Sequence, residues 1–345
     1  MKKATIHEIA KALNIDSSTV SRALNNSERV AQKTKEKVAK KAKELGYRPN
    51  LLASNLRQNK SNTIGVVIPR ISRYFFSTTI AGIEEAAFAA GFNVIISQSL
   101  EQLEREKKII NNFVSNRVDG VLISISLETQ EGTHLEYLQK IGTPLVFFDR
   151  HYAGLDNSVA ILLNDYKGAY DATQNLINNG SRKIAHFTGP QIMEIYKNRL
   201  NGYKLALEEN NLSYDPDLVM SSNLMKEDGF LMMKQLYEKH PDIDGLFSAN
   251  DEAAYGAIRY LKSQGCRIPE DIAVIGFSND PLSEVIEPVL SSIDQSGFEM
   301  GKIACEVLIK NINDPDHKQE TIVLEPKLLE RESSKRKTKM AKVDQ

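Results

Sequence analysis

The stretch ATIHEIAKALNIDSSTVSRALN, residues 4–25, decides the fold of the first part of this chain. Thr5 and Glu8 stand at the spacing of a capping box, which is typical of a helix start. After the break NID, Asp16 stands where it can cap a second helix, so the stretch predicts two short helices joined by a tight turn. The apolar residues of the first helix share one face: Ile6, Ile9, Ala10 and Leu13.

The residues that follow extend this pair to a three-helix unit over residues 1–49. Val20 and Leu24 lie one turn apart on the second helix and are expected to point inward. A third helix, QKTKEKVAKKAKEL, is predicted to pack through Val38 and Leu45, and Gly46 occupies the position after the helix that favours glycine. This packing leaves a polar outer face on the second helix, formed by Ser17, Ser18, Ser21 and Arg22.

Length and composition indicate a soluble globular protein of two or three domains, with 345 residues, 41% apolar and 26% charged. No apolar run approaches the ~18–20 residues of a membrane helix, so no membrane partner is expected. The start, MKKATIHEIAKAL, lacks the apolar core of a secretory signal. Cys266 and Cys305 cannot form a disulfide framework, which favours the reducing cytoplasm.

The net charge of −1 hides an asymmetry between the two ends of the chain. Residues 1–60 contain fourteen lysines and arginines against five acids, a net charge of +9, which leaves −10 for the remainder. A basic head on an acidic body indicates a polyanion partner for the head. The alternative is that lysine runs such as KTKEKVAKKAKE are simply solvated helix faces.

The three-helix unit fits a helix-turn-helix, in which the second helix enters the major groove of DNA. Arg22 suits a guanine edge, while Ser17 and Ser18 can donate to or accept from several bases or hold phosphates. A small helical bundle that binds another protein is the alternative on spacing alone. The positive charge and the polar outer face favour DNA.

Residues 4–57 resemble the DNA-binding head of the lactose-repressor (LacI/GalR) family of transcriptional regulators. The elements TVSRALN, V…KT…KV…A…LGY.PN and LA..LR all stand in register. The resemblance implies a homodimer on a pseudo-palindromic double-stranded operator, with one head on each half-site. One departure is Ala31, where the family commonly has a capping residue for the third helix. The residues expected to contact DNA are Thr5, Ser17, Ser18, Thr19, Ser21, Arg22, Asn25, Thr34, Asn50, Ala53 and Leu56.

Residues 50–61 are interpreted as a hinge helix and linker between head and body. Leu52, Ala53 and Leu56 would share a face of about two turns of helix, which is too short to be stable alone. Two hinges packed together on a minor groove could bury this face and wedge leucines between base steps. The resemblance assigns the wedge to Leu56, and a flexible linker is the alternative.

From residue 62 the pattern changes to short apolar strands that alternate with amphipathic helices. TIGVVIP, FNVIISQS, VDGVLISIS and TPLVFFDR form one series, and a second series begins at SVAILLN. This alternation predicts an α/β core of two doubly wound parallel-sheet subdomains, which the resemblance identifies as periplasmic-binding-protein-like. We place subdomain one at about 62–162 plus 291–320, subdomain two at about 163–290 plus 321–330, and a disordered basic tail at 331–345.

The strand ends predict a cleft for a small-molecule effector between the two subdomains. The resemblance implies roles there for Asp149, Arg199, Asn250 and the residue after Phe277, and a helix cap is the alternative for Asn250 or Ser278. Many family members have an aspartate after that phenylalanine, so a sugar-gripping carboxylate is missing or displaced. The expected contacts are Phe75, Phe76, Asp149, Arg150, Arg199, Asn250, Ser278 and Asn279.

These patterns favour a sequence-specific transcriptional regulator, expected to be a repressor, whose effector is a sugar or sugar derivative. A cytoplasmic small-molecule-binding protein or an enzyme on the same fold is the alternative, and an exported sugar-binding protein conflicts with the basic head. No GxGxxG after a strand, GxxxxGK[ST], GxSxG or HExxH is present, so no catalytic residue, metal or cofactor is expected.

Overall fold

The computed structural model describes residues 4–47, 60–314 and 320–336. The chain divides into two compact units, Met1–Ser61 and Asn62–Gln345, here called the head and the body. Within the described ranges, none of the helices combines the length and the apolar character needed to cross a membrane.

The head is a three-helix unit, as predicted, formed by α1 (Ile6–Leu13), α2 (Ser17–Leu24) and α3 (Gln32–Glu44). Thr5 and Glu8 form the capping box reciprocally at the start of α1. Asn14 adopts a left-handed conformation with φ of 52° and turns the chain into α2. The three helices enclose a small core of Ile9, Ala10, Val20, Ala23, Val30, Val38 and Ala42.

Two expectations for the helix ends of the head are wrong in detail. Asp16 precedes α2, but its side chain makes no capping hydrogen bond. Leu45 is 41% exposed, because α3 ends there and Gly46, with φ of +64°, reverses the chain. The Tyr47 amide then bonds back to the Ala42 carbonyl at 2.8 Å, so Tyr47 packs against the core instead.

The body consists of two doubly wound lobes, which confirms the predicted fold class. Lobe one has a sheet in the order β11-β5-β4-β3-β1-β2, with every neighbouring pair parallel. Its strands are β1 (Thr63–Ile68), β2 (Asn93–Gln98), β3 (Gly120–Ile123), β4 (Leu145–Phe148), β5 (Val159–Leu163) and β11 (Ile322–Leu324). Its helices are α4 (Tyr74–Ala89), α5 (Leu103–Ser115), α6 (Thr133–Lys140) and α11 (Gly297–Asn313).

Lobe two repeats the plan, with a sheet in the order β12-β10-β9-β8-β6-β7. All its pairs are parallel except β10–β12, where the chain returns antiparallel at the edge. Its strands are β6 (Ile184–Thr188), β7 (Val219–Ser221), β8 (Gly245–Ser248), β9 (Ala273–Phe277), β10 (Ser291–Asp294) and β12 (Lys327–Leu329). Its helices are α7 (Asp165–Asn178), α8 (Glu194–Glu209), α9 (Lys226–Lys239) and α10 (Asp251–Ser263).

The predicted subdomain boundaries need two corrections. The strand in SVAILLN is β5, which ends the first sheet, as the boundary near residue 162 predicts, although its sequence was interpreted as the start of the second series. The strand β10 was assigned to subdomain one but pairs with β9 in lobe two, and β11 was assigned to subdomain two but pairs with β5 in lobe one. The chain therefore crosses between the lobes three times, after β5, after β10 and after β11.

The segment 331–336 is ordered on lobe two, which contradicts the prediction of a disordered tail beginning at residue 331. Ser333 and Ser334 are fully buried. Ser333 Oγ donates to the Val274 carbonyl at 2.6 Å, and Ser334 bonds Asn175 and Ser291. These serines satisfy polar groups at the sheet edge, so the predicted tail can begin only after Arg336, outside the described residues.

Candidate nucleic-acid interface and ligand cleft

The outer face of α2 is polar, and it leaves Ser18, Arg22 and Asn25 exposed. Val20 and Ala23, on the opposite face, anchor α2 in the core of the head. Ser17 Oγ lies 3.1 Å from His7 Nδ1, so this hydroxyl also ties α2 to α1. The packing thus fixes α2 rigidly while its polar side remains open to a partner.

Two further predicted DNA contacts, Thr19 and Ser21, lie half-buried on α2. The others lie at the start of α1, on α3 or in the hinge. Thr5 is engaged in the capping box, with its hydroxyl accepting from the Glu8 amide at 3.3 Å, and Thr34 lies half-buried on α3. Ala31 precedes α3 without a side-chain cap, as the sequence indicated. The hinge contacts Asn50, Ala53 and Leu56 lie outside the described residues, so the wedge hypothesis stays a prediction.

In the body, the carboxyl ends of both sheets face a cleft between the lobes. A cavity of about 600 Å³ is lined by Gln130, Arg150 and His151 of lobe one and by Lys197 and Asn198 of lobe two. Its chemistry combines cationic, amide and apolar groups, which suits a small polar molecule.

A second cavity, of about 290 Å³, brings together three of the predicted effector residues. Phe75, at the start of α4, faces Ser278 and Asn279 from the end of β9. Both residues after β9 have positive φ, 126° for Ser278 and 52° for Asn279, so the chain bends sharply here. Phe75 and Phe76 both belong to the apolar core, at 8% and 4% exposed, and only Phe75 lines this cavity.

Arg199 lies in the second turn of α8. It is 4% exposed, and its guanidinium donates to Asp165 Oδ1 at 2.8 Å and to the Ala249 carbonyl at 2.6 Å. The guanidinium also stacks on Phe277, 3.7 Å from the ring centroid. Arg199 therefore forms a buried ion pair with an acid of its own chain.

Asp165 is the acid that completes this pair, and sequence analysis missed it. Burial raises its pKa to about 6, although Arg199 opposes the shift. Asp149 adds to the shift by its own negative charge, so the two carboxylates are close enough to repel each other. Arg199 opposes the rise in pKa of both buried acids, as the first cation beside Asp165 and, after Arg150, the second beside Asp149.

Asp149 ends β4 in a left-handed conformation with φ of 62° and is 6% exposed. Ser124 Oγ donates to it at 3.1 Å, and Arg150 Nε lies 3.7 Å away. Burial raises the pKa of Asp149. Arg150 donates instead to Glu101 Oε2, at 2.9 Å, and to the Ile125 carbonyl. Asp149 thus keeps acceptor capacity that a ligand hydroxyl could use.

Asn250 and Asp251 have structural partners in the ligand-free protein. Asn250 caps α10 by accepting from the Ala253 amide at 2.9 Å, and its amide donates to the Leu224 carbonyl at 2.8 Å. Asp251 is 1% exposed and accepts from the Ser283 and Ser292 hydroxyls. The capping alternative for Asn250 is therefore what the geometry shows, and its contact with an effector stays a prediction.

Comparison with known proteins finds a matching family pattern for the head and another for the body. The pattern described as bacterial regulatory proteins, lacI family, matches residues 5–50, and that of a periplasmic binding protein-like domain matches residues 173–334. The chain is 33% identical to the HTH-type transcriptional repressor PurR of Vibrio atlanticus, over 96% of this chain and 99% of that protein. It is also 33% identical to the ribose operon repressor of Haemophilus influenzae, over 96% and 98% respectively.

Two solved structures share the architecture. The complex of the transcriptional regulator CelR with cellobiose superimposes with a TM-score of 0.74 at 29% identity, covering 96% of this chain and all of that one. The Lac repressor dimer bound to operator and an anti-inducer superimposes with a TM-score of 0.86, covering 96% and 99%. At 24% identity, the latter shows a common fold.

Proposed function

Because this chain belongs to the lacI family of bacterial regulatory proteins, we propose that it is a sequence-specific transcriptional repressor controlled by a small-molecule effector. The observation that carries this function is that one chain combines two features. Its basic head exposes the polar face of α2, and its body has a cleft between two lobes. The relatives named above are repressors and regulators rather than enzymes.

The head is proposed to bind operator DNA through α2, and Arg22 is its base-reading residue. Among the described residues no ion pair engages Arg22, and its side chain is exposed at the carboxyl half of α2. A free guanidinium can donate both hydrogen bonds that guanine accepts in the major groove, each such pair contributing ~1–3 kcal/mol of discrimination.

The experiment is to select sites from random DNA and measure affinity for the selected site against salt concentration. If the protein neutralises several phosphates, affinity falls ~10³–10⁵-fold between 50 and 200 mM salt. Arg22→Ala is expected to relax the base preference, whereas Lys40→Ala, an exposed cation on α3, is expected to keep it. A flat salt response on the selected site, or unchanged preference in Arg22→Ala, would refute this function for the head.

The effector is proposed to be a sugar or sugar derivative bound between the lobes. The amides of Gln130 and Asn198 line the first cavity and offer hydrogen bonds, and Phe75 lines the second cavity and offers an apolar face, which are the two features that a polyhydroxyl ring uses. Relatives named for ribose or solved with cellobiose support this chemical class. Calorimetric titration with ribose and cellobiose, compared with adenine, would test it, and binding of the purine alone would refute it.

The working form is proposed to be a cytoplasmic homodimer on a pseudo-palindromic operator. The edge strand β2 leaves Ile95 and Ile96 41% and 38% exposed, and Phe88 at the end of α4 is 77% exposed, which favours a partner surface on lobe one. The cysteines Cys266 and Cys305 are unpaired, in keeping with a reducing compartment. Sedimentation equilibrium would test the dimer.

A further inference from the structure

Arg73 joins the two lobes directly. It precedes α4 in lobe one, and its guanidinium lies 2.5 Å from Glu252 Oε2 on α10 of lobe two. The same guanidinium donates to the carbonyls of Asn223 and Leu224 at 3.4 Å and to Met225 Sδ at 3.1 Å. A single side chain of lobe one is thus held by four groups of lobe two.

The acceptors on lobe two are fixed in place by lobe two itself. Leu224 is fully buried and has φ of 56°, a conformation that a leucine rarely adopts. Its amide donates to Ser222 Oγ at 3.0 Å, and its carbonyl also accepts from Asn250 at 2.8 Å. The segment 222–225 therefore presents its carbonyls to Arg73 without needing Arg73 to shape it.

This contact is stronger than a second ion pair that joins the lobes within the described part of the chain. His151 of lobe one lies 3.6 Å from Glu194 of lobe two, but Glu194 is 57% exposed and the imidazole carries charge only when protonated. Arg73 and Glu252 are 19% and 32% exposed, and the arginine keeps its charge at all physiological pH values. Charge-assisted bonds with low exposure contribute more than a solvated pair.

We propose that Arg73 is a latch that favours the closed arrangement of the two lobes, in which lobe one and lobe two are in contact. Because the guanidinium contacts lobe two only when the lobes are together, these bonds favour the closed state and are lost on opening. The latch thereby sets the resting ratio of closed to open protein, which any effector then shifts by its own preference for one state. Its effect on operator affinity rests on the proposed function, whereas its effect on the lobes does not.

The test measures the distance between the lobes in the full-length protein without ligand. Spin labels are placed at Ser77 on α4 and Lys234 on α9, both exposed, in a Cys266→Ser background, since Cys305 is buried. Arg73→Gln is expected to increase the ratio of open to closed protein about tenfold, equivalent to ~1.4 kcal/mol, and to show a longer distance.

Glu252→Gln is the second variant, because its side chain is more exposed and the substitution preserves shape. It is expected to shift the distance in the same direction but by less, because the carbonyls of Asn223 and Leu224 and the Met225 sulfur still accept from Arg73. Lys302→Gln is the matched control, since Lys302 pairs with Glu85 at 3.6 Å within lobe one. Unchanged distances in both single variants, or the same shift in Lys302→Gln, would overturn the latch.

Operator affinity in the same ligand-free variants tests the coupling to DNA. The two single variants are expected to change affinity in one common direction, several-fold in Arg73→Gln and less in Glu252→Gln. A shifted distance with unchanged operator affinity would overturn the coupling while the latch stands. Loss of operator binding in every variant and in wild type would instead count against the proposed function.

Discussion

Replacing Arg199 by alanine is expected to destabilise lobe two strongly, and more so at high pH. The substitution removes the partner of Asp165, leaves the Ala249 carbonyl without its donor and uncovers Phe277. Breaking a buried ion pair costs ~3–5 kcal/mol, because an unpaired carboxylate is left behind. If the substitution lowers the free energy of unfolding by ~4 kcal/mol, and each kcal/mol lowers Tm by ~2–4 °C for a body of this size, Tm should fall by roughly 8–16 °C.

The pH dependence follows from the pKa of Asp165, which burial raises to about 6 in the folded protein against an unfolded value near ~3.9. A raised acid pKa means that the folded state holds the proton more tightly, so stability falls as pH rises between these two values. Without Arg199 the pKa of Asp165 in the folded protein rises further, so the loss of stability extends to higher pH. The destabilisation by Arg199→Ala should therefore be small at pH 5 and largest near pH 8.

The assay is thermal and urea unfolding of wild type, Arg199→Ala, and the double variant Arg199→Met with Asp165→Asn, at pH 5 and pH 8. The double variant removes both charges and should be more stable than Arg199→Ala at pH 8. If Arg199→Ala unfolds as wild type does at pH 8, the buried pair contributes nothing and the reasoning is wrong. Calorimetry with the effector on the same variant would show whether Arg199 also contacts the ligand.

Three further outcomes are expected. Leu56→Ala should weaken operator binding more than binding to random DNA in a retardation assay, because only a bent complex uses the wedge, and equal losses would favour a plain linker. Truncation after Glu330 should lower Tm by several degrees while truncation after Arg336 should not, because the buried serines lie between them. Burial raises the pKa of Asp251 to about 6, so Asp251→Asn should gain stability relative to wild type, by up to ~3 kcal/mol, as pH rises from 4 to 7 in urea unfolding.

The head was predictable because its determinants are local in sequence. The capping box of Thr5 and Glu8 and the reversal at Gly46 depend on residues within one or two turns. The error at Leu45 is also local. The apolar periodicity of α3 predicts that Leu45 is buried, but the chain reverses at Gly46 and Tyr47 packs against the core of the head instead. Apolar periodicity cannot show which of two neighbouring side chains a chain reversal buries.

The lobe boundaries were less predictable because strand pairing joins residues far apart in the chain. Nothing within β11 specifies its partner β5, which lies a whole lobe earlier in the chain, whereas β10 pairs with its neighbour in sequence, β9, and was assigned to the wrong side of the boundary. Asp165 could have been found, since it follows a buried strand in the same way that Asp149 does. The rule that polar residues at strand ends face the cleft was applied to Asp149 but not to Asp165. The polar composition around Ser333 and Ser334 likewise suggested disorder. Composition alone cannot show that Val274, Ser291 and Asn175 of lobe two have polar groups for these serines to bond.

The three crossings between the lobes have a consequence for how the protein is made. Lobe one lacks its edge strand β11 until residue 324 has left the ribosome, and lobe two lacks β12 until residue 329. At ~5–20 residues per second, the head is complete roughly 13–50 seconds before either lobe. A chain that terminates within the body therefore has a complete head but no finished cleft. Full-length synthesis is thus needed before effector control can begin, and premature termination yields a fragment that no effector can regulate.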